Sequence, residues 1–305
     1  MQLEKEITAS PLNYTGGKYK LLSQIVPLFP DNVNVFADIF CGGCNVGTNV
    51  KAQKIICNDL DSNLIGLFEF FKTKSYSEIK NEIDSVIEKY GLSNSLKNGY
   101  SFYNCNTSDG LGFYNKEKFL TLRNNFNSLK KSDSKYFLYL YVLIIFAFNN
   151  QIRFNAKGNY NLPVGKRDFN QRMQKKLCAF LEKIKNIEFT NKSFDELNLK
   201  LSENDFVYAD PPYLITCASY NEKNGWNENL EKELLDFLDS LNEKNVKFAL
   251  SNVLTSKGKT NEILKNWLGS NPAYKCHHLN YTYKNSSYHK KDKVNQADEV
   301  LITNY

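Results

Sequence analysis

Two hydrogen-bond acceptors and an aromatic ring occur together in the segment Asp210–Tyr213, which reads Asp-Pro-Pro-Tyr. The Asp210 carboxylate and the Pro211 carbonyl both accept hydrogen bonds, so together they suit an amino group. The Tyr213 ring suits stacking on a planar ring. Each proline fixes its own φ and keeps the preceding residue extended, which makes the turn rigid. The segment therefore predicts a site for an amino group carried on a planar ring.

The elements that must position this segment are the strands of an α/β sheet. The apolar run Phe206–Ala209 directly before Asp210 predicts a short buried strand. Because ligands of open α/β sheets bind at the carboxyl ends of strands, we expect Asp210 at the functional edge. Further strands are predicted at 33–40, 54–57, 187–190, 247–252 and 297–303, with helices at about 171–187, 230–241 and 261–268.

A glycine-rich turn, Cys41–Gly47, follows the strand predicted at 33–40. A strand followed by such a turn is typical of nucleotide-type cofactor sites. The spacing G-x-G-x-x-G is absent, which disfavours a nicotinamide or flavin dinucleotide. The next predicted strand ends at Asp59, roughly 20 residues after Asp38 and Phe40, where a carboxylate is well placed to bind ribose hydroxyls. The pattern favours an adenosine-containing cofactor.

The positive charge is concentrated in one part of the chain. The net charge is +6, and residues 151–192 alone carry ten Lys or Arg against three Asp or Glu. A second cluster, 284–293, has four Lys against Asp292. Such clusters suit a polyanion such as nucleic acid, and the alternative is a solvated lysine-rich face.

Residues 63–134 have apolar residues at helical spacing, and the apolar run 136–148 that follows predicts a buried helix or strand. The segment 149–165 reads as two short alternating halves around a hairpin tip at 156–159. Asn, Gln and Arg side chains read base edges, so the hairpin and the basic pair behind it predict a DNA probe. The candidate DNA-binding residues are Asn150, Arg153, Asn155, Lys157, Asn159, Lys166 and Arg167.

Several classes of protein are disfavoured. The 13-residue apolar run is too short for a membrane span, which needs roughly 20 residues, and we see no signal peptide. Seven cysteines without regular spacing disfavour a disulfide framework. The pair Cys41 and Cys44 has C-x-x-C spacing but no matching second pair, and 276–278 (Cys-His-His) is expected in a loop, so no metal site is predicted. We expect a soluble, cytoplasmic protein.

The ordered set of motifs resembles the Dam-type adenine-N6 DNA methyltransferases (D12 class, α group) over nearly the whole chain. The resemblance implies a Rossmann-like S-adenosylmethionine-dependent methyltransferase sheet with an inserted, mainly helical target-recognition domain that carries a β-hairpin. It also implies a discontinuous catalytic domain at 1–62 and 168–305 and an insertion at 63–167. The matching segments are 14–18 (Tyr-Thr-Gly-Gly-Lys), Phe40–Gly42, the strand end at Asp59, the Asn-rich hairpin, Asp210–Tyr213 and 298–305.

The resemblance implies methyl transfer from S-adenosylmethionine to N6 of an adenine flipped out of duplex DNA, for restriction-modification or host DNA marking. Asp210 and the Pro211 carbonyl would accept the N6 hydrogens, and Tyr213 would stack on the base; Pro212 completes the catalytic motif. Cys44 departs from the family, which has a small glycine there. The implied cofactor-binding residues are Tyr14, Lys18, Asp38, Phe40, Gly42, Asp59, Phe194 and Asp210.

The expected partner is duplex DNA with a short adenine-bearing recognition site, in a prokaryotic or phage setting. A cognate restriction endonuclease that acts separately is a further expected partner, and the sequence leaves the recognition site open. Two alternatives stay open as well. One is an RNA or protein methyltransferase, and the other is a catalytically silent DNA-binding module.

Overall fold

The computed structural model describes residues 7–216, 225–280 and 297–305, and over these residues the chain has the predicted mixed α/β architecture. None of the helices in the described ranges is both long and apolar enough to cross a membrane. The strands are β1 (Val33–Asp38), β2 (Ala52–Asn58), β3 (Ile187–Thr190), β4 (Phe206–Ala209), β5 (Lys247–Ser256), β6 (Lys259–Thr260), β7 (Lys275–Leu279) and β8 (Ala297–Thr303). The helices are α1 (Leu22–Ile25), α2 (Ser62–Lys72), α3 (Tyr76–Tyr90), α4 (Ser95–Asn98), α5 (Gly112–Asn127), α6 (Tyr136–Phe146), α7 (Gln171–Ile184), α8 (Glu228–Glu243) and α9 (Glu262–Ser270).

The chain divides into two compact units. The first unit contains residues 1–19, 42–48 and 61–189. The second unit contains residues 20–41, 49–60 and 190–305. The domain limits predicted from the sequence, with an insertion at 63–167, stay a prediction.

The sheet of the second unit has the strand order β2-β1-β4-β5-β8-β7, and β6 pairs with β5. Strands β2, β1, β4 and β5 run parallel, whereas β8 is antiparallel to both β5 and β7. Strand β4 therefore lies in the interior of the sheet, and all four of its residues are buried. Because parallel strands end at the same edge, the chain segments after β1, β2 and β4 emerge together there.

The core of the second unit explains why the edge is rigid. Helix α8 begins after Asn227, whose side chain accepts hydrogen bonds from the backbone amides of the first turn. Its apolar face, with Leu234 and Leu238 fully buried, packs with Val207 and Phe248 of the central strands. Burial of each such side chain stabilises the fold by about 1.5–3 kcal/mol.

The residues Cys276, His277 and His278 lie in strand β7, so the expectation of a loop at this place is wrong. Strand β7 pairs with β8 from Lys275 opposite Thr303 to Leu279 opposite Glu299. An edge strand tolerates polar and partly exposed side chains, which is why this run has no clear apolar alternation. The second basic cluster, 284–293, lies outside the described residues.

The first unit is built around α6, in which nearly every side chain is buried. A helix that is apolar on all sides must be covered on all sides, and α6 contacts α2, α3 and α5. The approach of α2 requires Gly66, since a Cβ at this position would lie 2.2 Å from Cζ of Phe137. The apolar run predicted at 136–148 is thus a helix that ends at Phe146, and it supports the segment that follows it.

Candidate functional site

The Asp210 turn directly follows the buried strand β4 of the second unit. The Tyr213 hydroxyl lies 3.1 Å from Oδ1 of Asp210 and 3.1 Å from Oε1 of Glu299. The amide of Thr216 donates to the carbonyl of Tyr213, which closes the turn. The side chain of Asp210 is partly exposed whereas Tyr213 is buried, so the carboxylate faces an accessible space on a fixed support.

Three carboxyl groups surround Tyr208, the third residue of β4. Burial, followed by the negative charge of Asp210 and then of Asp38 and Glu299, raises the pKa of Tyr208 well above its ordinary value. The hydroxyl is 2.7 Å from Oγ of Ser251, so this buried polar group has a partner. Tyr208 therefore stays neutral, and the edge of the sheet beside it has a negative potential that suits a cationic ligand.

The strand end at β2 is fixed by Asn58, a residue that sequence reasoning missed. Its buried amide group donates to the carbonyls of Ile39 and Lys192 at 3.1 and 3.0 Å. Its oxygen accepts from the Thr190 hydroxyl and from the Lys192 amide at 2.8 and 3.1 Å. The next residue, Asp59, is partly exposed at the end of the strand, where the sequence predicts it. Asn58 therefore holds two turns together and orients Asp59.

An aromatic cluster lies near the same edge within the second unit. The ring of Phe40 is 5.5 Å from that of Phe194 and 5.6 Å from that of Trp226. Phe194 is buried, and Phe40 is partly exposed. Such rings suit a planar, apolar ligand group. Trp226 lies just before α8 in a segment without periodicity, so nothing in the sequence pattern marked it.

Residues 42–47 of the glycine-rich turn belong to the first unit, where Tyr14 packs over them. Gly42 has φ +46°, and a Cβ there would lie 2.9 Å from the Tyr14 ring. A Cβ at Gly43 would lie 3.0 Å from Cβ of Tyr14. The turn is therefore closely covered, and its backbone conformation requires glycine at position 42. Cys44, which departs from the family pattern, also has a positive φ of 56°.

Lys18 lies four residues after Tyr14 in the chain and is 5% exposed, with Nζ 3.0 Å from the carbonyl of Gly16. The amide of Ser10 donates to Oδ1 of Asn45 at 3.0 Å, which ties the amino-terminal segment to the glycine-rich turn. These two contacts order residues 10–18 of the first unit next to the glycine-rich turn. Tyr14, Lys18 and Gly42, predicted as cofactor-binding residues, lie in this unit.

The tip of the predicted hairpin is an Asn-stabilised turn. Phe154 and Tyr160 form an antiparallel bridge, and the Asn155 amide donates to the carbonyl of Asn159. Oδ1 of Asn155 accepts from the amides of Lys157 and Asn159, each at 3.0 Å. Asn155 therefore shapes the tip, and Lys157 is the exposed cation that the tip presents.

Two further DNA-binding candidates have structural partners. The Asn150 side chain donates to the carbonyls of Ile144 and Ile145 at the end of α6. The exposed Arg153 donates from Nε to Oδ1 of Asn161 at 2.8 Å. Asn150 thus fixes the chain that leaves α6, and Arg153 is held in a defined orientation at the surface.

Two adjoining cavities in the first unit form what we call the basic groove. The smaller has a volume of about 290 Å³ and the larger about 500 Å³, and both are lined by Asn13, Asn150 and Arg167. The described residues that line the groove include no acidic side chain. Its cations are Lys166, Arg167, Arg172 and Lys176.

Arg172 and Lys176 were not among the predicted DNA-binding residues. They lie one turn apart near the start of α7, a helix with no acidic residue in its first turn. Burial, and then the charge of Arg172, lowers the pKa of Lys176. Like charges placed together at the positive end of a helix are unfavourable by themselves, so the groove suits an anion.

Comparison with known proteins identifies the family. The sequence model of the D12 class N6 adenine-specific DNA methyltransferases matches residues 14–295. The chain belongs to this family. The name of the family says that its members methylate adenine in DNA, a reaction that also requires a methyl donor. The resemblance seen in the sequence and the predicted α/β class are thus confirmed.

Three relatives show what this methyltransferase-family chain is similar to. The type II methyltransferase M.FokI of Planomicrobium okeanokoites is 44% identical over 305 residues, which cover 97% of this chain and 43% of that protein. The modification methylase StsI of Streptococcus sanguinis is 42% identical over 99% of this chain and 43% of its own length. A DNA adenine methylase of Escherichia coli K12 is 24% identical over 79% of each chain. The chain spans less than half the length of the first two relatives.

Proposed function

We propose that this chain transfers a methyl group from S-adenosylmethionine to N6 of an adenine flipped out of duplex DNA. The observation that carries the proposal is the Asp210 turn, in which a partly exposed carboxylate and a proline carbonyl follow a fully buried strand. Both are acceptors without a proton to donate, and an exocyclic amino group offers two donors.

The chemistry follows from the lone pair of N6, which is conjugated with the ring and therefore weakly nucleophilic. Hydrogen bonds from the two N6 hydrogens to Asp210 and the Pro211 carbonyl draw the nitrogen toward a tetrahedral shape. Its lone pair then points away from the ring. With both reactants held, the remaining contribution is positioning, for which a rigid turn is suited. Tyr213 stacks on the base in this arrangement.

The residues present fit the proposed cofactor. S-adenosylmethionine supplies an electrophilic methyl group on a positively charged sulfur. The carboxyl groups of Asp38 and Asp210 favour a cation, and the rings of Phe40 and Phe194 suit an adenine. Asp59 at the end of β2 suits ribose hydroxyls. In the first unit, the Gly42 turn suits close approach of backbone to a ligand.

The basic groove supports DNA as the polyanion. Its four cations would contact phosphates, which set affinity and register rather than sequence. A base inside a duplex is inaccessible to the Asp210 turn, so it must leave the stack, at a cost of a few kcal/mol. Phosphate contacts in the groove would offset part of this cost.

The relatives named type II methyltransferase and modification methylase suggest the biological setting. We propose that the chain marks a short adenine-bearing site in a prokaryotic or phage cytoplasm. In this setting, a separate restriction endonuclease would recognise the same site and be blocked by N6 methylation.

The test is transfer of labelled methyl groups from S-adenosylmethionine to duplex DNA, with RNA and a protein mixture as competing acceptors. Label must appear in duplex DNA and be recovered as N6-methyladenine after hydrolysis. Label on cytosine, RNA or protein would contradict the proposal. DNA binding without any label would favour a silent binding module.

A further inference from the structure

Glu299 lies in the buried part of β8 and touches the catalytic turn through Tyr213. Its carboxyl group is 1% exposed, and Oε1 is 3.1 Å from the Tyr213 hydroxyl. The same hydroxyl is 3.1 Å from Oδ1 of Asp210. Two carboxyl groups that are far apart in sequence thus meet at one hydroxyl.

The Tyr213 hydroxyl lies between the two carboxyl groups. It is within hydrogen-bond distance of Oδ1 of Asp210 and of Oε1 of Glu299, and it can donate its proton to either oxygen. Glu299 is fully buried on a strand, whereas Asp210 is partly exposed in a turn. Glu299 therefore restricts the position of the Tyr213 hydroxyl, and this hydroxyl restricts Oδ1 of Asp210.

We infer that Glu299 is a positioning residue for methyl transfer, which fixes the Tyr213 ring and, through its hydroxyl, one oxygen of Asp210. This inference rests on the proposed function of the Asp210 turn. With Oδ1 of Asp210 occupied by Tyr213, the carboxylate has a fixed orientation toward the amino group. Loss of Glu299 frees both the ring and the carboxylate.

The position of Glu299 is a consequence of strand order. Strand β8 pairs with β5, and β5 pairs with β4, so β8 is two strands away from the turn that follows β4. Glu299 is opposite Val253 on β5, and its preceding residue, Asp298, bonds the exposed His278 on β7 instead. Successive side chains alternate between the faces of a strand, which is why Asp298 is a matched control.

The experiment compares kcat and KM of Glu299→Ala, Glu299→Gln, Tyr213→Phe and Asp298→Asn on a duplex that the wild type methylates. Removal of a hydrogen bond that involves a charged group predicts a kcat about 10- to 100-fold lower for Glu299→Ala. The KM for DNA should stay within about threefold, because the groove is intact. Glu299→Gln should retain most of kcat, since its side-chain oxygen can accept from the Tyr213 hydroxyl as the Glu299 carboxyl oxygen does. Asp298→Asn should behave as wild type.

A double variant tests whether Glu299 acts through the hydroxyl. Glu299→Gln can fold even if Glu299→Ala does not, and Tyr213→Phe keeps the ring while removing the relay. If the inference is right, Glu299→Ala in the Tyr213→Phe background lowers kcat by less than about twofold. Additive losses, a Gln variant as impaired as the Ala variant, or a Glu299→Ala enzyme with wild-type kcat would each overturn it. An inactive wild type would instead contradict the proposed function itself.

Discussion

The turns at the edge of the sheet and the basic groove are built in opposite ways. At the edge, Asn58 is held by partners more than 130 residues away, and Tyr213, which contacts Asp210, is held by Glu299 across 86 residues. In the groove and hairpin, the cations Lys157, Lys166 and Arg167 are exposed at the surface. Chemistry at a single amino group needs fixed atoms, whereas binding a polyanion needs accessible charge. Substitutions at the edge should therefore lower kcat strongly, and this loss should not depend on salt concentration. Substitutions in the groove should lower DNA affinity by smaller steps that do depend on salt concentration.

The largest effect is expected for Asp210→Ala. Loss of a preorganised charged acceptor should lower kcat by about 10²–10³-fold, while DNA and S-adenosylmethionine still bind. Methyl-transfer kinetics and equilibrium binding measure the two effects separately. The control is Asp195→Ala, an exposed carboxylate in the same unit, which should retain activity. A near-normal kcat for Asp210→Ala would remove the contrast between the two regions.

Asn58→Ala should come next, because it removes an amide that makes four hydrogen bonds in a buried place. The remaining groups lose their partners, so the free energy of unfolding should fall by about 2–4 kcal/mol. Denaturant unfolding measures this change. Gln53→Ala removes an exposed hydrogen bond to Asn34 at the other end of β2 and should change stability by less than about 0.5 kcal/mol. Equal losses in both variants would contradict the role given to Asn58.

Gly42→Ala sharpens the comparison, because the turn lies in the first unit yet has the close packing seen at the sheet edge. An added Cβ meets the Tyr14 ring at 2.9 Å and is strained at φ +46°, with an expected cost of about 1–3 kcal/mol. Affinity for S-adenosylmethionine, measured by calorimetry, should fall at least about tenfold. Gly258→Ala has φ +78° and no atom within 4 Å of its Cβ, so it controls for strain alone. A similar loss of affinity in both variants would exclude the packing explanation.

The pair Lys166→Ala and Arg167→Ala tests the groove. Each lost phosphate contact should lower the slope of log affinity against log salt by about 1, with kcat retained at saturating DNA. Fluorescence anisotropy over a series of salt concentrations measures the slope. Lys183→Ala with Lys185→Ala removes two exposed cations from the other end of α7 and should leave the slope unchanged. An unchanged slope in the first pair would exclude it from the interface.

The smallest effect is expected for Lys176→Gln. Since the folded pKa of Lys176 is lowered, its charge is unfavourable in the native state, and Gln should raise the free energy of unfolding by about 0.2–0.5 kcal/mol. The gain is full at neutral pH and disappears as pH rises through the folded pKa of Lys176, where the native lysine loses its proton. DNA affinity should fall at the same time. A variant that loses both stability and affinity would contradict this trade of stability for binding.

Sequence reasoning worked where the signal is local. The strand at 206–209, the prolines after Asp210, Asp59 at the end of a strand and the turn at 156–159 each depend on residues within a few positions. Strand β7 was missed, because its polar residues pair through β8 and show little alternation. Asn58 was missed as well, because its partners Thr190 and Lys192 are more than 130 residues away.

The sequence by itself determined which chemistry the chain offers: two acceptors, a ring, a glycine-rich turn and an excess of cations. Tertiary structure alone decided which groups act together. It brought Glu299 to Tyr213 across 86 residues, and it joined Arg172 and Lys176 to Arg167 in one groove. The physical reason is the difference in range along the chain between local and tertiary interactions. Residue type and period fix local conformation, whereas strand order and helix packing set the distances between groups, and hydrogen bonds depend on those distances.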